Sequence, residues 1–343
     1  PQLTKENKKE FISNDDLYRR STQYRFWSFT STKLDDSRII SNKKGIKATK
    51  ERLKKLLLES NDTETPPPEI SFIRQHLSSN NDSDLNQLDD FPYVNKIEEL
   101  QIVTYYARKC KDLANFFKLP SQARSTAIIY LYKFYIIHSV MEYHPQHIML
   151  TCLYLSTKVE NNFIKISDFV KPIPKATELN VLKNEYLIME TLKFSLTCHH
   201  PYNSLYGFFL DIQQLLPKLD FGRLGKNYDL ARDLIQESLF VDVEFLYTPP
   251  QIALACLWLS DEVLVERYLM KKFKVKRKNN DEEKIKSMTP EEHYNKIMNL
   301  IKDCAKLIKN GGFNPSVEES KVISQKIQFC LEPLRFGKKL MKE

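Results

Sequence analysis

The sequence predicts an all-α protein built of two tandem repeats of about five helices each, with an additional helix at the N-terminal side and another at the C-terminal side. Three observations lead there. Glycine is scarce, 7 in 343 residues, and Leu, Lys, Glu and Ile are plentiful, a balance that suits helices better than a turn-rich β protein. Prolines at 120, 145, 172, 201, 249 and 290 punctuate the chain, several at a helix start, where proline is tolerated. Finally, "YHPQHIMLTCLYLSTKV" (143–159) lies over "YTPPQIALACLWLSDEV" (247–263) without a gap when the chain is shifted by 104 residues. A unit of about 100 residues is a duplicated domain rather than a solenoid repeat.

The elements follow in order. Residues 1–42 form a polar N-terminal segment whose patch "LYRRSTQYRFWSFTS" (17–31) places Tyr18, Tyr24 and Trp27 in an aromatic stripe on a short helix. Such a stripe docks on a larger body; stacking on nucleic-acid bases is the other reading. Residues 43–97 hold a basic amphipathic helix (43–58) and a polar insertion (59–92), with "TPPPE" and "SSNNDSD" as loop signals. An RxxL pattern at 74–77 is too degenerate to argue from. The first repeat spans 98–197, with helices expected at 98–117, 121–138, 145–159, 166–171 and 176–194. The second spans 198–310, with helices at 202–216, 228–244, 249–265 and 289–308 and a charged loop at 271–286. Residues 311–343 carry a C-terminal helix at 316–330.

The two matched helices are apolar on every side yet shorter than the roughly 18–20 residues of a membrane span. Each is therefore a central helix surrounded by others. Lys158 ends the first of them, and its counterpart in the second is Glu262. A lysine neutralising a helix C-terminus, typically worth about 0.3–1 kcal/mol, would not explain a glutamate there, so the inversion points to a role for Lys158 in the first repeat alone. In "TELNVLKNEYLIMETLKFSL" (177–196) a continuous helix gathers Leu179, Val181, Leu182, Tyr186, Ile188, Met189 and Leu192 into one apolar arc. Glu185 falls inside that arc, where a carboxylate needs a partner. An internal lysine and a contact to another protein both satisfy it.

These segments resemble the tandem cyclin boxes of the cyclins over about 98–310, most specifically in "LSTKVE" and "LKNEYLIMETLKFSL", which set Lys158 and Glu185. Within that family, "RFWSF", "KFYIIHSVMEYHPQHIMLTC" and "FLYTPPQIALAC" are similar to the cyclin H type, the regulatory subunit of the TFIIH kinase, and the 43–96 and 271–286 segments resemble a fungal form. The resemblance implies a non-catalytic activator that binds a cyclin-dependent kinase. Such a subunit repositions the kinase αC helix, completing its Lys–Glu ion pair and freeing the activation segment. It implies that Lys158 and Glu185 contact the kinase, that Leu155, Val159, Met189, Phe194 and Leu196 face it, and that Tyr18, Tyr24 and Trp27 belong to a docking helix beside the boxes. It further implies a TFIIH complex in the nucleus, a RING-containing assembly subunit, and the RNA polymerase II C-terminal repeats as substrate. The chain departs from many cyclins at Asn161, where a second acid is common, and the "MRAIL" substrate-docking pattern is not recognisable in "EELQIVTYYARKC" (98–110).

The remaining residues exclude most other classes. No glycine-rich phosphate loop or GxSxG turn is present, so no cofactor and no catalytic residue is expected. Six cysteines lie scattered without a CxxC pair, and Cys152 and Cys256, each inside an apolar run, read as small core residues of a reducing compartment. His138, His144 and His147 read as packing or surface groups, not as a metal site. A TFIIB-like DNA-binding factor shares the duplicated fold, but it carries a Cys/His zinc ribbon before the repeats, and here no cysteine precedes Cys110. A net charge of +8 does not require nucleic acid. Direct nucleic-acid and membrane contacts are not expected. A Mediator-type cyclin C is the neighbouring alternative within the family.

Overall fold

A computed structural model describes residues 18–61, 93–216, 219–276 and 289–335, and all regular structure among them is helical. The N-terminal segment supplies α1 (Thr22–Trp27) and the long α2 (Ser31–Asn61). The first repeat comprises α3 (Lys96–Phe116), α4 (Ser121–Ile137), α5 (Pro145–Val159), α6 (Ile166–Val170), α7 (Glu178–Leu182) and α8 (Glu185–Thr191). The second comprises α9 (Pro201–Leu215), α10 (Phe221–Ser238), α11 (Val243–Leu246), α12 (Pro249–Ser260), α13 (Glu262–Lys276) and α14 (Pro290–Asn310). The chain then forms α15 (Val317–Leu331).

Local chemistry sets the helix starts. Capping boxes open α3 at Asn95 and Glu98, α12 at Thr248 and Gln251, α14 at Thr289 and Glu292, and α15 at Ser316 and Glu319. Each satisfies two otherwise orphaned N–H groups. Pro145, Pro201, Pro249 and Pro290 stand at first-turn positions. Each repeat has its own apolar core. The first gathers around α4 and α5, and the second around α12. Every residue from Ile148 to Thr157 is buried, as an all-round apolar helix requires. The first core also receives Trp27 from α1, Leu239, Phe240 and Phe245 from the second repeat, and Ile323 and Ile327 from α15.

Several boundaries differ from those the sequence predicts. The basic helix expected at 43–58 is the later part of α2, which begins at Ser31. The helix expected at 228–244 runs instead from Phe221 to Ser238, with Asp220 accepting from the amides of Gly222 and Arg223. The helix expected at 249–265 breaks at Asp261, whose Oδ1 accepts from the Leu264 amide and so caps α13. The single helix expected at 176–194 is α7 and α8. Thr151 Oγ1 donates to the Val181 carbonyl at 2.8 Å, the acceptor that a continuous helix would offer to the Glu185 amide. Leu179, Leu182 and Tyr186 are accordingly exposed rather than gathered in a buried arc. Residues 271–276 of the expected loop belong to α13. The rest of that loop, most of the 59–92 insertion and the RxxL pattern lie outside the described residues.

Candidate partner-binding site

Lys158 lies in the last turn of α5 and Glu185 opens α8. Their side chains meet, Lys158 Nζ donating to Glu185 Oε1 at 2.5 Å, with 36% of the lysine and 18% of the glutamate side chain exposed. The Lys158 ammonium also lies 4.6 Å from the centroid of the Tyr154 ring, so one π face and one carboxylate fix its direction. Glu185 thus has an internal lysine, and the pair stands at the surface with exposed Tyr186 next to Glu185 in sequence and exposed Phe194 against the Tyr186 ring.

The contrast with Glu262 has a local cause. The second repeat's central helix ends at Ser260, so Glu262 sits in the first turn of α13. A carboxylate suits that N-terminal end as a lysine suits the C-terminal end of α5. The inversion of sign therefore follows from where each helix stops, and gives no support to a special role for Lys158.

Both helices that carry the pair end in the same way. After α5 the Asn161 amide donates to the Lys158 carbonyl and the Asn162 amide to the Thr157 carbonyl, with Asn161 at φ 56°. After α8 the Lys193 amide donates to the Glu190 carbonyl and the Phe194 amide to the Met189 carbonyl. These are Schellman ends, whose left-handed residue is usually glycine or asparagine. Asn161, the departure from the acid common in cyclins, is therefore a residue suited to left-handed backbone. The end of α8 is costlier, because Lys193 at φ 55° and Phe194 at φ 53° are both left-handed, and each pays on the order of 1–2 kcal/mol.

The expected apolar contact residues divide. Phe194 is 59% exposed and edge-on to Tyr186, ring centroids 6.0 Å apart. Val159, Met189 and Leu196 are half-buried against the first core. Leu155 corrects the expectation: it is 3% exposed, because α5 is enclosed throughout, and it supports the surface from beneath. Sequence reasoning missed Tyr186, which it assigned to the buried arc, and Phe163, which is also exposed. Glu160 of "LSTKVE" turns inward, accepting from Thr126 Oγ1 at 2.7 Å.

The docking stripe is present but uneven. Trp27 is buried in the first core, with the Lys133 ammonium 5.2 Å from its ring centroid. Tyr18 is half-buried, and burial together with the Glu244 carboxylate pushes its hydroxyl up to about 12. Tyr24 is exposed, contrary to expectation; its ring packs edge-on against Tyr18 at 5.6 Å, because the short α1 turns only one face to the body. Burial likewise pushes His138, His144 and His147 down. Among the described residues no group of three or more His, Cys, Asp or Glu is placed to hold a metal, and no helix is long and apolar enough to cross a membrane.

Comparison with known proteins places this geometry in a family. The model of the cyclin N-terminal domain matches residues 82–197, and that of the cyclin C-terminal domain matches residues 200–309. The chain is 40% identical over 263 residues to cyclin CCL1 of Saccharomyces cerevisiae, covering 76% of this chain and 62% of the relative. It thus spans less than two thirds of that protein's length. It is 31% identical over 323 residues to cyclin mcs2 of Schizosaccharomyces pombe, covering 93% of this chain and 87% of the relative. Among solved structures, a chain of the yeast TFIIK (Kin28/Ccl1/Tfb3) complex matches with 33% identity and a TM-score of 0.61, over 85% of this chain and all of that one.

Proposed function

This chain belongs to the cyclins, of the cyclin H type, and we propose that it is the regulatory subunit that binds and activates a cyclin-dependent kinase of the TFIIH type. The observation that carries the site is the Lys158–Glu185 pair, partly exposed, with the exposed Tyr186 and Phe194 rings following on from Glu185. An ion pair so placed adds little to the stability of the free chain, about 0–1 kcal/mol. It still leaves lysine N–H groups and a carboxylate oxygen for a partner, and Phe194 and Tyr186 offer apolar area next to it. A kinase αC helix with complementary polar groups would bury the pair without orphaning either charge, whereas a partner lacking them would have to desolvate it. Cyclins do no chemistry of their own. Holding αC in place lets the kinase's own Lys–Glu pair and activation segment take their active positions.

The finer assignments extend from relatives. The yeast complex named above contains Kin28 and Tfb3 beside Ccl1; on that pattern we assign this chain a kinase and a third, RING-containing assembly subunit within a TFIIH complex. Its place is the nucleus, and its kinase phosphorylates the polymerase II C-terminal repeats.

The test is tail-repeat kinase activity recovered on the tagged chain from nuclear extract, wild type against Lys158→Ala/Glu185→Ala. Loss of more than about tenfold, roughly 1.4 kcal/mol, with unchanged thermal stability, is the expected result. Equal recovery would remove the pair from the interface. A wild-type chain that recovers duplex DNA and no kinase would return the TFIIB-like alternative.

A further inference from the structure

We infer that α1 is a splint for the left-handed turn that presents Phe194, with Gln23 and Phe26 as positioning residues for kinase binding. The inference rests on the reading of the Lys158–Glu185 surface as the kinase contact. Two consecutive non-glycine residues in the left-handed region, one of them a phenylalanine, need surrounding structure to hold them. The hydrogen bonds of the Schellman end account for the chain reversal, but Gly would serve there with less strain.

The segment from Lys193 to His199 is gripped by α1 at both ends. At the first, the Lys193 ammonium lies 4.4 Å from the centroid of the Phe26 ring, and the Arg25 guanidinium lies 5.5 Å from the same centroid. At the far end the buried Gln23 side chain pairs with one residue's backbone in both directions. The His199 amide donates to Gln23 Oε1 at 2.6 Å, and Gln23 Nε2 donates to the His199 carbonyl at 3.3 Å. Between them the Tyr130 hydroxyl donates to the Leu196 carbonyl, which fixes the middle of the segment to α4. An amide side chain paired in this way follows the path of the backbone at His199, whatever side chain that residue carries. That is what a splint needs, and it explains why a glutamine is buried beside Trp27 on α1.

The test uses Gln23→Ala, Phe26→Ala, and each combined with Lys193→Gly, in the full chain. Two quantities are measured: amide hydrogen exchange of Lys193–Ser195 in the free chain, and affinity for the purified kinase subunit. Gln23→Ala is expected to speed exchange at these amides about tenfold while amides of α4 stay protected, and to weaken the kinase complex by a similar factor. Lys193→Gly removes the ammonium–ring contact, yet it is expected to restore affinity to within about twofold of wild type, because glycine takes a positive φ without strain. Unchanged exchange in Gln23→Ala, or a loss of affinity that Lys193→Gly fails to recover, overturns the splint. Loss of protection in α4 as well would mean that the fold, not the turn, has been damaged, and would also overturn it. A wild-type chain that binds no kinase defeats the reading of the surface instead, and exchange then decides the splint alone.

Discussion

At the scale of single residues, two buried carboxylates set how stability responds to pH. Glu99, taking hydrogen bonds from the Ser139 hydroxyl and the Val140 amide, and Glu244, with neither oxygen hydrogen-bonded among the described residues, are both raised by burial to about 7 from an ordinary 4.5. Lys133, itself buried, offsets the Glu244 shift only in part. A raised carboxylate binds its proton more tightly in the folded chain, so its contribution grows as pH falls through 7 and is lost at alkaline pH. The histidines work the other way. His144, lowered to about 4, and His200, lowered to about 3, are held neutral by burial, and below their ordinary 6.5 they increasingly oppose folding. Between pH 8 and 6.5 each glutamate should add roughly 0.8 kcal/mol, while each of the two histidines removes about half as much. Stability therefore rises as pH falls until the two pairs balance at about pH 5.5, and declines below that. Urea unfolding of Glu244→Gln should rise between pH 8 and 6.5 by roughly 0.8 kcal/mol less than wild type; a profile identical to wild type would mean that Glu244 does not titrate in this range.

At the scale of elements, what the sequence made legible depended on whether a local signal acted alone. The central helices α5 and α12 were readable because all-round apolar character and a first-turn proline agree, whereas the break at Asp261 in "LSDEV" was overrun by the expectation of one helix over 249–265. The break between α7 and α8 was not readable. The Thr151 hydroxyl that engages the Val181 carbonyl comes from 30 residues upstream, and no helical period records it. Lys158 and Glu185 could be singled out as charges at apolar helices, but their mutual contact and the exposure of Tyr186 depend on that break. The seat of α2 was equally hidden. A Cβ on Gly45 would fall on the Ser139 side chain, far inside contact distance, and Ser139 is held by Glu99 and by the Met141 amide. Gly45→Ala gains helix propensity of up to about 1 kcal/mol, yet it forces α2 off its seat, an overpacking cost of roughly 1–3 kcal/mol. A net loss of up to about 2 kcal/mol in urea unfolding is expected, and a stabilised variant would show that α2 shifts freely.

For the molecule as a whole, the question is what makes two separately cored repeats behave as one body. Among the described residues the buried members of the second core run from Leu205 to Ile308, whereas the first takes Leu239, Phe240 and Phe245 across the seam. Phe240 is bracketed there by two cations of α3, Arg108 at 4.3 Å and Lys111 at 5.6 Å from its ring centroid. Lys111 also pairs with Glu237 at 2.6 Å. The N-terminal segment closes the seam from outside. The Phe29 amide donates to the Phe245 carbonyl at 2.8 Å, and Arg38 makes a two-pronged pair with Asp242 at 2.8 and 2.5 Å. Arg38 is buried while Asp242 is partly exposed, so loss of the aspartate strands a buried guanidinium, the costlier half to orphan. A double-mutant cycle on Arg38→Ala and Asp242→Ala should give a coupling of about 1–3 kcal/mol, with Asp242→Ala the more damaging single change. Because each repeat keeps its own core, weakening the seam should also separate their unfolding. Wild type is expected to melt in one transition, and the Asp242→Ala chain in two, with the second repeat melting independently of the first. Coincident loss of both repeats in that variant, followed by residue-specific hydrogen exchange through the transition, would show that the buried aromatic contacts at Phe240 and Phe245 suffice to couple them without the ion pair.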